Sequence, residues 1–371
     1  MYLKQLLLTN FKNYSEANFI FSKKINCFIG NNGAGKTNIL DAIYYLSFSK
    51  SYFNSIDSQN ILHDKDFFTI HGTYLKNGDD IKDTISCTLK QEHKKQFKLN
   101  NNLYKRLADH IGLFPLIMIS PYDRDLINNG SEVRRKYIDS VISQFNKNYL
   151  NNLINYNKAL LQRNKLLKQF YEQNYFDISL LEIWDKQLFD FGNAIHKKRK
   201  EFLNEFIPLF QEYYTFISGE KEKVDIVYIS QLNDKNFEEL LSENLYKDKI
   251  LKYTTTGIHK DELLLKIQNY PIKKFGSQGQ QKSFFIALKL AQFEHTKNIK
   301  GFKPILLFDD IFDKLDDLRV EKIINLVSNN NFGQVFITDT QKERIKKIFN
   351  SIEKEHKIFN IKSGKAEEIK L

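Results

Sequence analysis

An apolar run at residues 25–29 is followed by Gly30-Asn31-Asn32-Gly33-Ala34-Gly35-Lys36-Thr37, and then by a stretch that sets Ile39, Leu40, Ile43 and Leu46 on one helical face. No other segment narrows the fold as far. The octapeptide fits the pattern GxxxxGK[ST], and it joins what reads as a strand to what reads as a helix from residue 37 to about 48. Glycines let such a loop curl until its N–H groups point inward at phosphate oxygens, and the following helix N-terminus adds partial positive charge. All eight residues are therefore candidate ligands of a nucleotide. Lys36 is expected to reach the β and γ phosphates and the Thr37 hydroxyl to bind Mg²⁺.

Two more segments extend this α/β reading. Ile305-Leu306-Leu307-Phe308-Asp309-Asp310 is an apolar strand ending in two carboxylates. Asp309 is expected to complete the Mg²⁺ shell, directly or through water, and Asp310 to polarise an attacking water. The third segment, Gly276-Ser277-Gln278-Gly279-Gln280-Gln281-Lys282-Ser283, opens an apolar helix at residues 284–293. A hydroxyl, exposed N–H groups and the helix dipole make a second anion site there, unless the tetrapeptide is simply a helix-capping turn.

At 371 residues the chain exceeds what one core usually supports, so two lobes or a large insertion are expected. Residues 2–8, 17–21 and 25–29 read as short strands, and residues 67–75, 83–89 and 96–99 as an antiparallel meander. From residue 131 to about 217 helical spacing takes over; strands resume at 224–229, 263–267, 305–308, 335–337 and 358–361. The division expected is 1–128 and 220–371 as two halves of one α/β lobe, with 129–219 as an inserted helical lobe. That block lacks sustained heptads and reads as a compact lobe, not a coiled-coil arm. No apolar run approaches the ~20 residues that span a bilayer, and no secretory leader is visible, so a cytoplasmic protein is expected. Cys27 and Cys87 lie in apolar runs and read as buried core thiols.

The three motifs in this order resemble the ATP-binding-cassette type of ATPase. That resemblance implies an ATP sandwiched between two copies of the chain, with Ser277, Gly279 and Gln280 facing the γ-phosphate held by the other copy. Asp313-Lys314-Leu315-Asp316 falls where that family has its subunit-contacting D-loop. Leu8-Thr9-Asn10-Phe11-Lys12-Asn13-Tyr14, Ser120-Pro121-Tyr122-Asp123, Arg134-Arg135-Lys136-Tyr137-Ile138-Asp139 and Gln162-Arg163-Asn164 extend the likeness over essentially the full length. Together they resemble the RecF family of bacterial recombination mediators.

The resemblance implies an SMC-like ATPase head without a coiled coil, ATP-dependent homodimers and slow, DNA-stimulated hydrolysis acting as a switch. It also implies binding to double-stranded and gapped DNA, cooperation with RecO and RecR in loading recombinase, and Lys12 at the nucleotide. Two departures stand out. The family's Gly-Pro-His-Arg-Asp reads Gly257-Ile258-His259-Lys260-Asp261, and Thr338 or Thr340 stands where transporters carry a switch His.

The formal charge of +11 is weak evidence for a polyanion, because only 8 of the 56 basic residues are Arg and the excess reads as a bias toward Lys. Candidate phosphate contacts are Arg134, Arg135 and Lys136, and Lys197, Lys198 and Arg199, each set against a solvated helix face. Two other classes remain as alternatives. A small-molecule kinase would leave Ser277 to Gln280 without a role, and the ATPase subunit of a transporter would need a membrane-coupling surface.

Overall fold

The computed structural model describes residues 1–76, 81–219, 222–312, 317–328, 332–343, 345 and 355–369. The chain divides into two units, one of residues 1–123 with 288–371, the other of residues 124–287.

In the first unit, alternation along β1 (Tyr2–Phe11) buries Leu6 and Leu8. It pairs antiparallel with β2 (Tyr14–Ile20) and β4 (Phe67–Lys76); β5 (Ile81–Lys90), β6 (Gln96–Leu99) and β7 (Asn102–Leu103) complete that sheet in the order β2-β1-β4-β5-β6-β7. A second sheet runs β15-β14-β3-β13-β12-β8. Its members are β3 (Ile25–Ile29), β8 (Leu116–Ile119), β12 (Ile305–Asp309), β13 (Val335–Asp339), β14 (His356–Lys362) and β15 (Lys365–Ile369). All but β15 are parallel, and β3, β8, β12 and β13 are buried at every position, as strands covered on both faces must be. Helix α1 (Lys36–Phe48) packs against strands of both sheets, and one apolar core containing Leu6, Phe28, Ile39, Leu307, Phe336 and Phe359 fills the unit.

Three strands of this unit, β7, β8 and β15, are not evident in the sequence: β7 is only two residues long, β8 is a four-residue run directly after Pro115, and β15, Lys-Ala-Glu-Glu-Ile, is an edge strand whose polar side chains carry no apolar period.

His110 lies wholly inside this unit, with Nε2 2.7 Å from the Leu46 carbonyl and Nδ1 3.1 Å from the Tyr104 hydroxyl. Burial pulls its pKa down to about 4. The folded value lies below the unfolded one, so this neutral imidazole stabilises the fold fully above about pH 6.5, and the contribution is lost as pH falls through 4. The unfolding midpoint is expected to drop between pH 6.5 and 4, and His110→Phe to flatten that slope by up to about one proton. An unchanged slope would show that the imidazole titrates normally.

In the second unit, α2 (Asp125–Asn128) and α3 (Ser131–Ser143) precede two long helices, α4 (Lys147–Gln173) and α5 (Ile178–Ser218), which lie against each other. Side chains of Asn146 and Asp177 cap their N-termini, and Gly219, at φ 78°, ends α5. At 41 residues α5 reaches ~60 Å. The unit also holds a small antiparallel sheet, β11-β10-β9, of β9 (Val224–Ile229), β10 (Glu262–Ile267) and β11 (Tyr270–Pro271); α6 (Phe237–Glu243) packs on α5, α7 (Leu245–Leu251) on α4, and α8 (Ile272–Phe275) on the sheet. Helix α9 (Gln278–Lys300) starts in this unit. The unit therefore includes residues 220–287 as well as the helical block expected at 129–219, because β9 and β10 pack on α5 and α3. The first unit's α10 (Asp317–Ser328) follows residues 313–316, expected above as a D-loop, which lie outside the described residues.

Candidate nucleotide site

The loop between β3 and α1 is tied together by its own lysine. Lys36 Nζ donates to the carbonyls of Gly30 (2.8 Å) and Asn31 (2.9 Å). Its pKa is lowered by burial, against the opposing pull of Asp310, Asp309 and Asp339. Gly30 and Gly35 are required by close approach: at φ +153° and +113°, a Cβ would fall 2.3 Å from the Ile361 carbonyl and 2.4 Å from Asn13 Nδ2. Asn31, Asn32 and Gly33 are exposed, whereas Ala34 is buried. A cavity of about 510 Å³, within the size range of small-molecule sites, is lined by residues 30–34 and 360–363.

Residues without an assigned role in the sequence reading support this loop. Asn13 Nδ2 donates to the Ala34 carbonyl (3.1 Å) and its Oδ1 accepts from Asn38 Nδ2 (2.8 Å). The Tyr14 hydroxyl donates to the Gly35 carbonyl (3.1 Å), and the Gly364 N–H to the Ala34 carbonyl (3.1 Å). Lys12, expected at the nucleotide, pairs with buried Asp41 at 2.6 Å and lies over the Phe53 ring.

β12 lies in the same sheet as β3, with β13 between them, and its last residue reaches the loop. Asp309 Oδ1 accepts hydrogen bonds from the hydroxyls of Thr37 and Thr338, both at 2.9 Å. Burial raises the Asp309 pKa, and those two donors oppose it. Thr338 also accepts from the Asp310 N–H (2.9 Å), which fixes Asp310 at φ 46° after the strand end. Thr340 is exposed. One hydroxyl and one carboxylate oxygen suit Mg²⁺, which takes most of its ligands from water and phosphate. No cluster of three or more His, Cys, Asp or Glu exists among the described residues.

In the second unit, Ser277 and Gln280 form a reciprocal cap at the start of α9. The Ser277 N–H donates to Gln280 Oε1 (2.6 Å) and the Gln280 N–H to Ser277 Oγ (3.2 Å). Ser277 is exposed and Gly279 half-buried.

Residues 2–366 match the family described as the RecF/RecN/SMC N terminal domain. A protein of Flavobacterium johnsoniae named DNA replication and repair protein RecF is 55% identical over 97% of this chain and 100% of its own length. The chain belongs to the RecF family. A RecF of Phocaeicola vulgatus is 49% identical over 100% of this chain and 99% of its own. The solved structure titled as the recombination mediator protein RecF-ATP in the RecFOR pathway is 31% identical, with a TM-score of 0.89 over 100% of this chain and 98% of that one. An Smc head bound to the C-winged helix domain of ScpA, at 15% identity and TM-score 0.59, shares the fold, an ABC-type ATPase head, over 100% of this chain and 98% of that one.

The basic residues read as candidate phosphate contacts separate by burial. Lys136 and Lys197 are exposed and Lys198 is partly so; Lys136 pairs with Glu132 and Lys198 with Glu201. Arg134 makes a bidentate pair with Glu262 (2.8 and 2.9 Å) and donates to the Leu126 and Asn129 carbonyls, while Arg135 donates to the Asp261 carbonyl (2.6 Å). Arg199 corrects the expectation. It is 1% exposed and bridges Asp139 and Asp261, so its guanidinium is consumed inside the unit.

The segment Gly257-Ile258-His259-Lys260-Asp261 is also structural. Ile258 is buried and its carbonyl accepts from Arg199 (2.9 Å), His259 meets Tyr156 and Thr254, and Lys260 lies over the Tyr253 ring. No helix among the described residues is long and apolar enough to cross a membrane.

Proposed function

We propose that this chain is an ATP-gated, DNA-binding protein of replication and recombinational repair, acting in the cytoplasm with RecO and RecR to load recombinase on gapped DNA. The observation that carries the nucleotide part is the junction at Asp309, where Thr37 from the start of α1 and Thr338 from β13 meet one carboxylate oxygen.

In this reading the backbone of residues 30–36 and the Lys36 ammonium hold the β and γ phosphates of ATP. Thr37 and Asp309 hold Mg²⁺, which would neutralise phosphate charge. Lys36 leaves the Gly30 and Asn31 carbonyls for phosphate oxygens, a stronger charge-assisted partner. Asp310, fixed by its bond to Thr338, orients the attacking water. A carboxylate this short places that water less well than Glu would, which suits slow hydrolysis and a switch.

Ser277 and Gly279 meet the γ-phosphate of ATP bound by a second copy, so ATP governs dimerisation. Ser277 Oγ already accepts from the Gln280 N–H, which leaves its own proton free to donate to an anion. The duplex is met through phosphates, with exposed Lys136 and Lys197 and partly exposed Lys198 as the contacts, so binding weakens steeply with salt.

Light scattering tests the shared site. Wild type is expected to dimerise with ATP and Mg²⁺, and Ser277→Arg to remain monomeric while its own nucleotide affinity is unchanged. A wild type that stays monomeric at saturating ATP would reject the reading, as would dimers formed equally well by the Ser277→Arg protein.

A further inference from the structure

The Ser277 cap is itself held by a residue outside the motif. Glu222, between α5 and β9, presents its two carboxylate oxygens to two different elements. Oε1 accepts from Gln280 Nε2 at 2.5 Å, and Oε2 accepts from the Tyr214 hydroxyl at 2.5 Å. Tyr214 is fully buried near the end of α5, and its ring meets Phe284 of α9 edge-on at 6.1 Å. Ser277, Gln280, Glu222, Tyr214 and Phe284 all belong to the second unit.

The chemistry of an amide explains why this matters. A Gln side chain has a donor end and an acceptor end of nearly the same shape, and only the acceptor end satisfies a backbone N–H. An ionised carboxylate accepts and cannot donate. With Glu222 facing Nε2, the Gln280 amide can point only its Oε1 at the Ser277 N–H. Without it, only the Ser277 N–H selects that polarity, and an amide flipped to set Nε2 against the N–H would cost the turn one of its two internal bonds.

We propose that Glu222 is a positioning residue for Ser277. It fixes the polarity of the Gln280 amide, so that the Ser277 hydroxyl is held in one orientation before a second copy's nucleotide arrives. Through Tyr214 it anchors that turn to α5, the helix that also carries Lys197 and Lys198.

The inference rests on the proposed ATP-dependent dimer, and the test separates the two. Full-length wild type, Glu222→Ala, Glu222→Gln, Tyr214→Phe and Ser277→Arg are compared by light scattering over a protein concentration series with ATP and Mg²⁺. Nucleotide affinity and unfolding midpoint are measured for each. Glu222→Ala is expected to weaken dimerisation about tenfold, the effect of one good hydrogen bond, with nucleotide affinity of the monomer unchanged. Glu222→Gln keeps an acceptor for Gln280 Nε2 and offers its own amide hydrogen to the Tyr214 oxygen, so it should dimerise within about twofold of wild type.

Wild-type dimerisation by Glu222→Ala overturns the proposal, and so does equal impairment in the Ala and Gln proteins, which would reflect charge alone. If Glu222→Ala does not fold, Tyr214→Phe decides, since it keeps the ring on Phe284 and removes only the hydroxyl. Weakening by about threefold or more supports the proposal, and wild-type behaviour overturns it. If wild type and Ser277→Arg are both monomeric, it is the reading of the shared site that fails.

Discussion

Lys36→Ala lowers ATP affinity about a hundredfold or more in a calorimetric titration, with the unfolding midpoint nearly unchanged. The two halves of that expectation have different causes. The ammonium makes two bonds to loop carbonyls, Gly30 and Asn31, and those groups lie at a half-buried to exposed part of the loop where water can replace it. Folding therefore loses little. Binding loses a charge-assisted contact to two phosphates, each worth about 1.5–3 kcal/mol, and about 1.4 kcal/mol is a factor of ten. The Ser277→Arg protein, whose substitution lies in the other unit, should keep full affinity in the same titration. Undiminished affinity in Lys36→Ala would exclude residues 30–37 as the phosphate site.

What the sequence made legible was local. The loop of residues 30–37 needs glycines at fixed offsets between a strand and a helix, and the acidic end of β12 needs a continuous apolar run, so both are written in adjacent residues. The supports of the loop are not. Asn13 and Tyr14 act through Ala34 and Gly35, and Gly364 crowds Asn13 from the far end of the chain. Such pairings follow from strand order, which no window of sequence contains.

The Ser277 turn shows a second kind of limit. Its pattern allowed either an anion site or a helix cap, and the structure holds a reciprocal cap whose hydroxyl proton remains available. The two descriptions are compatible because capping uses the acceptor side of the serine and an anion uses the donor side. Glu222 carried no signal at all, since its role depends on where α5 ends against α9.

For the basic residues the missed signal was present. Along α5, Leu188, Gly192, Ile195, Arg199, Phe202, Phe206 and Phe210 recur at helical spacing and are all buried, so Arg199 occupies a core position while Lys197 does not. Arg163 sits the same way on α4, between Ala159 and Leu167, and donates to Asp185, Asp248 and Thr254. Reading a run of like charges as one patch overlooked the period of the helix beneath it.

Arg199→Ala should therefore act on stability and not on phosphate contact. The guanidinium gives Nη1 to Asp261 (2.7 Å) and the Ile258 carbonyl (2.9 Å), and Nη2 to both Asp139 oxygens (2.8 and 3.0 Å). Removing it leaves two carboxylates, one 1% exposed, without their counter-charge. Breaking a buried pair in this way costs about 3–5 kcal/mol. Burial already raises the Asp261 pKa, and Arg199 opposes that rise. Without the arginine the carboxyl pKa climbs further, so the cost is greatest at neutral pH and shrinks as acid protonates Asp261. Denaturant unfolding at pH 7.5 and 5.5 should show the larger loss at 7.5. Arg199→Lys should recover part of it, since an ammonium restores charge but not the fork that spans both carboxylates. A loss under about 1 kcal/mol at pH 7.5, together with weaker DNA binding by a folded variant, would return Arg199 to the surface.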